Sequence, residues 1–256
     1  MKLTKIKRER KIIVANWKCN PVTLKEARRL FEAAEASCDN KHAEVVVAPP
    51  FVYLAEGRRL LKRARLASQD VFWEETGSYT GEVGPKMLRE LGSSYVIVGH
   101  SERREHFGET NEIVQKKVTA ALGRGLRVIL CVGERSREGE ASTYTGFVKE
   151  EVASALRGVP KKHFGRVVIA YEPLWAIGSG NPDTPKSTLE MAVYIRRVVY
   201  DVFHYANAHL LPVLYGGSVN SQNAKEFLEE GGVDGVLVGR ASLDTKTFSR
   251  IVASIK

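Results

Sequence analysis

The feature that most constrains this chain is an alternation that repeats eight times along its 256 residues: a short β-branched run, then a stretch of helical periodicity. The runs are KIIVANW (11–17), AEVVVAPP (43–50), ARLASQDV (64–71), YVIVGHS (95–101), RVILCVGE (127–134), RVVIAYEP (166–173), LPVLYGGS (211–218) and GVLVGRAS (235–242). Several are continuously apolar, as expected of strands covered on both faces. Strand–helix alternation implies parallel strands joined by crossover helices. Eight such units can close on themselves, which removes both sheet edges. An open doubly wound sheet is the competing architecture, but it usually carries a glycine fingerprint after its first strand, and NWKCNP is not one. The expected fold is therefore α/β: a closed, eight-stranded parallel (β/α)8 barrel, with residues 11–256 as one domain and 1–10 as a basic, flexible extension.

Two helix starts have the capping-box spacing, Thr23 with Glu26 and Ser187 with Glu190. After the second, Ala192, Ile195, Val199 and Val202 form one apolar stripe.

Charge matters because the balance is +9. It concentrates in MKLTKIKRERK, with six Lys or Arg against one Glu, and in RRLLKRAR at 58–65. Arg58, Arg59, Lys62, Arg63 and Arg65 interleave with Leu60, Leu61 and Ala64 at helical spacing, which reads as a solvated helix face. No aromatic side chain lies among them to stack on bases, so no nucleic-acid partner is expected. A positive field still favours anionic small molecules. Asn16 and Lys18 break any apolar segment after the basic head, and no run of 18 apolar residues exists, so neither a secretory signal nor a membrane span is expected. Cys19, Cys38 and Cys131 are odd in number and lack CxxC spacing, which points to reduced thiols and a cytoplasmic setting.

The polar residues cluster at strand ends. Strand one ends in Asn16, Lys18 and Asn20, strand four in His100, Ser101 and Glu102, strand six in Glu172. Strands seven and eight end in YGGS and GRAS. In a closed barrel all these carboxyl ends share one rim. Taken singly, each residue has a bland explanation: an exposed lysine, a hydrogen-bonded histidine, a solvated glutamate. On one rim they form a candidate site. The glycines after strands seven and eight leave backbone N–H groups open to an anion, although ordinary tight turns explain either alone equally well.

The motifs ANWKCN, YVIVGHSERREHFGE, AYEPLWAIGSGNP, YGGSVN and VLVGRAS, in this order and spacing, resemble the triosephosphate isomerase family. The resemblance runs from Lys11 to the end of the chain. It implies a TIM barrel that interconverts dihydroxyacetone phosphate and D-glyceraldehyde 3-phosphate without cofactor or metal. Residue by residue, Glu172 matches the base, His100 the electrophile, Lys18 the cation and Asn16 a substrate-positioning amide. Glu102 matches a carboxylate near the lysine. Gly178, Ser218, Gly239 and Arg240 match backbone contacts to phosphate. Pro173, Leu174 and Trp175 resemble the first hinge of a lid, Ala176, Ile177, Gly178 and Ser179 its tip, and Tyr215 with Ser218 its latch. ETGSYTGEV (75–83) resembles a loop that enters a neighbouring subunit, with Thr80 and Glu82 near the partner's site and Cys19 near the interface. This implies a homodimer.

The chemistry suits these residue types. Moving a proton between adjacent carbons needs one carboxylate that removes it and returns it. Excluding water from that carboxylate makes it a better base, and the enediolate left behind needs a cation and a hydrogen-bond donor. The sequence departs from the family pattern at Arg240, where a second glycine is common, at Asn181-Pro182-Asp183 in the second hinge, and at Asp70, where the family often has Asn. Rival readings are another phosphate-binding barrel enzyme, such as a phosphoribosyl isomerase or a Schiff-base aldolase, and a non-catalytic nucleic-acid-binding protein.

Overall fold

The computed structural model describes residues 10–138, 140–177 and 181–255. Gly178 and Ser179 of the expected lid tip, and all of the basic extension but Arg10, lie outside them. Eight strands close into a parallel barrel in sequence order: β1 (Lys11–Asn16), β2 (Ala43–Ala48), β3 (Arg65–Ser68), β4 (Ser93–Val98), β5 (Arg127–Val132), β6 (Val167–Tyr171), β7 (Val213–Tyr215) and β8 (Gly235–Val238). β1 closes the ring by pairing with β8, Ile12 opposite Gly235 and Val14 opposite Leu237. The α/β barrel expected from the alternation is the fold observed.

The period of two along each strand divides the core into two layers. Ile12, Val14, Val46, Ala48, Tyr95 and Ile97 point into the barrel. Ile13, Ala15, Val45, Val47, Val96 and Val98 point outward and pack under the helices. Both layers are buried, which is why the strands read as continuous apolar runs rather than alternating ones. At the amino end of the barrel, Tyr95 donates to Glu44 at 2.8 Å and accepts from Arg127, so a polar cluster sits opposite the candidate rim.

The helices are α1 (Leu24–Ala36), α2 (Leu54–Leu60), α3 (Pro85–Glu90), α4 (Ser101–Phe107), α5 (Asn111–Gly123), α6 (Ala141–Ala155), α7 (Pro185–Phe203), α8 (Ala224–Glu230) and α9 (Thr245–Ala253). Thr23 caps α1 as its spacing predicts, accepting from the Glu26 N–H at 3.3 Å.

Three local expectations need correction. Ser187 does not cap α7. Thr184 does, with Pro185 in the first helical position, where a missing N–H costs nothing. The apolar stripe of α7 runs through Met191, Ala192, Ile195, Val198 and Val199, while Val202 is exposed and the neighbouring Phe203 packs against Phe164 in its place. The 58–65 stretch is not one helix face: α2 stops at Leu60, and Arg65 already opens β3. Two of its charges are paired at the surface, Arg59 with Glu56 at 2.7 Å and Arg63 with Asp39 at 2.5 Å.

The strands also end earlier than their sequence runs. β4 stops at Val98, so His100 is the cap of α4 and Ser101 and Glu102 are its first residues. Polar side chains at these ends turn away from the ladder toward the rim.

Candidate active site

Asn16 and Glu172 continue the inward parity of their strands. Asn16 follows Ile12 and Val14, and Glu172 follows Val168 and Ala170, so both side chains are aimed at the mouth of the barrel. They are 5% and 2% exposed, well below what an ordinary strand-end polar group shows.

Lys18 lies two residues beyond β1 with φ +53°, the left-handed region. For a lysine that backbone costs on the order of 1–3 kcal/mol and persists only where neighbours impose it. Here they do. The Lys18 N–H donates to Asn16 Oδ1 at 3.0 Å, and its carbonyl accepts from Gln69 Nε2 at 2.9 Å. Gln69 is held in turn by the Ala48 carbonyl at 2.8 Å. The result aims the ammonium across the mouth, where Nζ meets Glu102 Oε1 at 2.5 Å. Both partners are part exposed, so the pair orients the ammonium rather than adding much stability.

His100 reaches the rim through a tight turn. Gly99 has φ +72°, and a Cβ there would also press on Val114 at 3.2 Å. The turn makes His100 the cap of α4, its Nδ1 accepting the Glu102 N–H at 3.2 Å. A neutral imidazole that accepts at Nδ1 carries its proton on Nε2. That Nε2 lies 3.2 Å from Glu172 Oε1, while Glu172 Oε2 accepts the Ser101 N–H at 3.2 Å. Gly216 leaves room for the carboxylate: a Cβ there would stand 2.9 Å from Glu172 Cγ.

The turn after β8 closes the group. A Cβ on Gly239 would contact Lys18 Cε at 3.5 Å, so its backbone lies against the lysine stem. Ser218 is half-buried after β7, with its carbonyl accepting from Asn223 Nδ2 at 2.9 Å, and Arg240 is exposed at the start of a 3-10 turn (Arg240–Leu243). Asn16, Lys18, His100, Glu102, Glu172 and Gly239 are thus brought together. Ser218 and Arg240 stand in the adjoining turns and, among the described residues, make no hydrogen bond to that group. Gly178 lies outside the described residues.

Tyr215 faces outward from β7 and stacks on Phe227, with centroids 3.9 Å apart. Its hydroxyl accepts the Asp183 N–H at 2.9 Å, tying down the segment that precedes α7. Burial pushes its phenol above the ordinary range.

Sequence reasoning missed a second cluster, around the 3-10 turn Leu174–Ala176. Glu134 Oε1 accepts from Trp175 Nε1 at 3.0 Å, from the Tyr171 hydroxyl at 2.7 Å and from Arg137 Nε at 2.8 Å. Arg137 also donates to the Tyr171 hydroxyl at 2.6 Å, pairs with Asp183 at 3.4 Å, donates to Ser187 Oγ and lies over the Trp175 ring at 5.3 Å. One guanidinium therefore joins Trp175 to Asp183, on either side of the AIGSGNP stretch. Glu134 could have been found, since it ends the fifth strand run just as Glu172 ends the sixth. Arg137 gave no signal inside the charged loop GERSREGE.

Chemically, the mouth offers a buried carboxylate, a neutral N–H donor and an oriented cation around one space. That combination can move a proton on a small anionic substrate and meet the oxyanion that results. Among the described residues, no three His, Cys, Asp or Glu side chains converge in a way that could hold a metal ion, and no helix is long and apolar enough to cross a membrane.

A sequence model of the family described as Triosephosphate isomerase matches residues 11–255. A Triosephosphate isomerase of Thermoanaerobacter pseudethanolicus is 44% identical over 245 residues, covering 95% of this chain and 98% of its own. Proteins of the same name from Caldanaerobacter subterraneus subsp. tengcongensis and Aquifex aeolicus are 45% identical over 246 residues and 42% over 248. These cover 95% and 96% of this chain, and 98% and 99% of their own lengths.

Proposed function

The chain belongs to the triosephosphate isomerase family, and from that premise we propose that it interconverts dihydroxyacetone phosphate and D-glyceraldehyde 3-phosphate through an enediolate. The observation that carries the reading is the 3.2 Å approach of His100 Nε2 to Glu172 Oε1 beside an oriented lysine.

In this mechanism Glu172 removes a proton from C1 of the ketone, and the electron pair moves onto O2. The N–H at His100 Nε2 and the Lys18 ammonium meet the charge there. His100 then passes a proton between O1 and O2, and Glu172 returns its proton to C2, so the net change is isomerisation. The contact between His100 and Glu172 supports this as a resting arrangement, because substrate oxygen must replace the carboxylate at Nε2. Asn16, whose Oδ1 already fixes the Lys18 backbone, serves as the positioning amide. Glu102 sets the ammonium. The backbones of Gly178, Ser218, Gly239 and Arg240 cradle the phosphate. Phosphate binding draws the lid shut and spends remote binding energy on excluding water. The reaction as written needs neither cofactor nor metal.

We read residues 11–256 as one catalytic domain, acting in the cytoplasm. We also read the functional unit as a homodimer formed through the loop around Thr80. Exposed Thr80 and Glu82 support that reading, as do the exposed apolar side chains Tyr79, Val22 and Val52. Sedimentation should then give a two-chain mass, with Cys19 protected from alkylation until dilution dissociates it.

The deciding experiment is a coupled assay for triose phosphate interconversion, run beside deuterium incorporation at C1 of dihydroxyacetone phosphate in D2O. Interconversion with exchange at that carbon is expected. Absence of both would overturn the assignment, and borohydride trapping of a lysine adduct would favour the aldolase instead.

A further inference from the structure

A cavity of about 270 Å³ abuts Glu172 and is lined by Cys131, Gly133, Glu151, Arg104 and Phe147 among others. It shares Glu172 and Ser101 with the candidate site, while Lys18, His100 and Gly239 do not line it. A second carboxylate is buried here. Glu151, on α6, is 3% exposed and plays no part in the mechanism above.

Its contacts lead to both reacting side chains. Glu151 Oε2 accepts the Gly133 N–H at 2.8 Å. Gly133 in turn lies against the Glu172 backbone so closely that a Cβ would fall 1.8 Å from the Glu172 carbonyl oxygen. Glu151 Oε1 faces Arg104 Nε at 3.4 Å, and that same Nε donates to the Gly99 carbonyl at 3.0 Å, in the turn that presents His100. Arg104 is anchored further by Asn111 Oδ1 at 2.8 Å. One carboxylate on a helix outside the barrel thus holds the turn behind Glu172 and, through Arg104, the turn behind His100.

We propose that Glu151, in its ionised form, is a positioning residue for the His100–Glu172 pair; this deepens the isomerase reading and rests on it. The groups facing Glu151 come from every element packed on it. Arg104 from α4 and the Gly133 N–H favour its charge, while Glu172 after β6 and Glu134 after β5 oppose it. Glu105, Glu109 and Arg135 line the same cavity. Burial outweighs the favourable partners and, with the two carboxylates, pushes Glu151 up to about 7. Its charge therefore changes near neutrality. A charge-assisted hydrogen bond is roughly twice as strong as a neutral one, so protonation loosens its hold on both turns.

The test is Glu151→Gln, which keeps the acceptor for Gly133 and removes the charge. The wild-type protein should show kcat rising through an inflection near pH 7. The variant should lack that inflection, with kcat about three- to tenfold lower above it and KM within about twofold, the signature of misplacement rather than lost binding. The Gly133 amide resonance reports independently of turnover: it should titrate with the same midpoint in the wild type and stay flat in the variant. A wild-type inflection that survives Glu151→Gln, an effect confined to KM, or different midpoints for Gly133 and kcat would each overturn the proposal. If the variant does not fold, the comparison of midpoints in the wild type alone still decides. If no isomerisation is detected at all, the proposed activity fails, whereas a Gly133 amide that does not titrate in an active enzyme sinks only the role of Glu151.

Discussion

Nε2 of His100 lies 3.2 Å from Oε1 of Glu172, although the two residues leave different strands of the barrel. The relationship depends on a third contact: the Glu102 N–H occupies His100 Nδ1, so the ring proton faces the carboxylate. The imidazole N–H and the carboxylate are thus in contact across the mouth of the barrel.

Shortening Glu172 tests both this contact and its proposed role as the base. Glu172→Asp withdraws the carboxylate by about one methylene, and kcat should fall by roughly 10²-fold or more while KM changes little. His100→Gln should lower kcat by about 10²–10³. Steady-state kinetics in both directions checks each.

Lys18 makes a different demand. Lys18→Ala removes the cation and keeps the Cβ, and so leaves the left-handed backbone as it is; activity should fall below detection while the far-ultraviolet spectrum is unchanged. Glu102→Gln keeps the ammonium and loosens only its aim, so it should retain measurable turnover. The same assay at several ionic strengths separates the two.

Gly216→Ala probes space alone. The new methyl would stand 2.9 Å from Glu172 Cγ and 3.3 Å from the Tyr171 carbonyl. We expect kcat to fall by at least tenfold, from displacement of the carboxylate, with a cost to stability of about 1–3 kcal/mol for overpacking. Kinetics and a denaturant melt on one preparation distinguish these losses.

Arg137 bridges Trp175 and Asp183, the two sides of the segment proposed as a lid. Arg137→Leu should speed opening of the proposed lid, because it removes the link between its two sides and leaves Trp175 held by Glu134 and Asp183 by Tyr215. Pro182→Ala should alter the opening rate by freeing a backbone angle. Temperature-jump relaxation of Trp175 fluorescence follows both; rates identical to wild type would rule out the clamp.

Burial of Glu151 predicts a pH dependence of stability. Its proton affinity is raised from an ordinary 4.5 to about 7 in the folded chain, so between those values the folded state holds more protons than the unfolded one. Its contribution therefore decreases as pH rises from about 4.5 to about 7, by on the order of 3 kcal/mol. Chemical denaturation of wild type and Glu151→Gln across this window should show a downward slope in the first that is absent from the second.

Much of the site was legible because the rim rule needs only strand ends. Asn16 and Glu172 follow their strands' inward parity, and His100 and Lys18 lie within two residues of a strand end. Cap and stripe assignments on α7 went astray where two local signals competed: Ser187 and Thr184 both suit a cap, and Pro185 in the first turn decides between them. Arg137 and Glu151 were invisible for another reason. Each sits among charged neighbours in sequence, and only the packing of loops and α6 against the rim turns an ordinary surface charge into a clamp or a buried carboxylate.

The order of eight strands and helices, the double-sided burial of the barrel wall and the polar character of one rim were properties of the sequence alone. They follow from periodicity and strand termini, which depend on near neighbours in the chain. The 3.2 Å contact of His100 with Glu172, the left-handed Lys18 held by Gln69, and the reach of Glu151 to two turns at once were decided by tertiary structure. Such distances depend on where closure of the ring sets segments remote in sequence, and no local pattern encodes them.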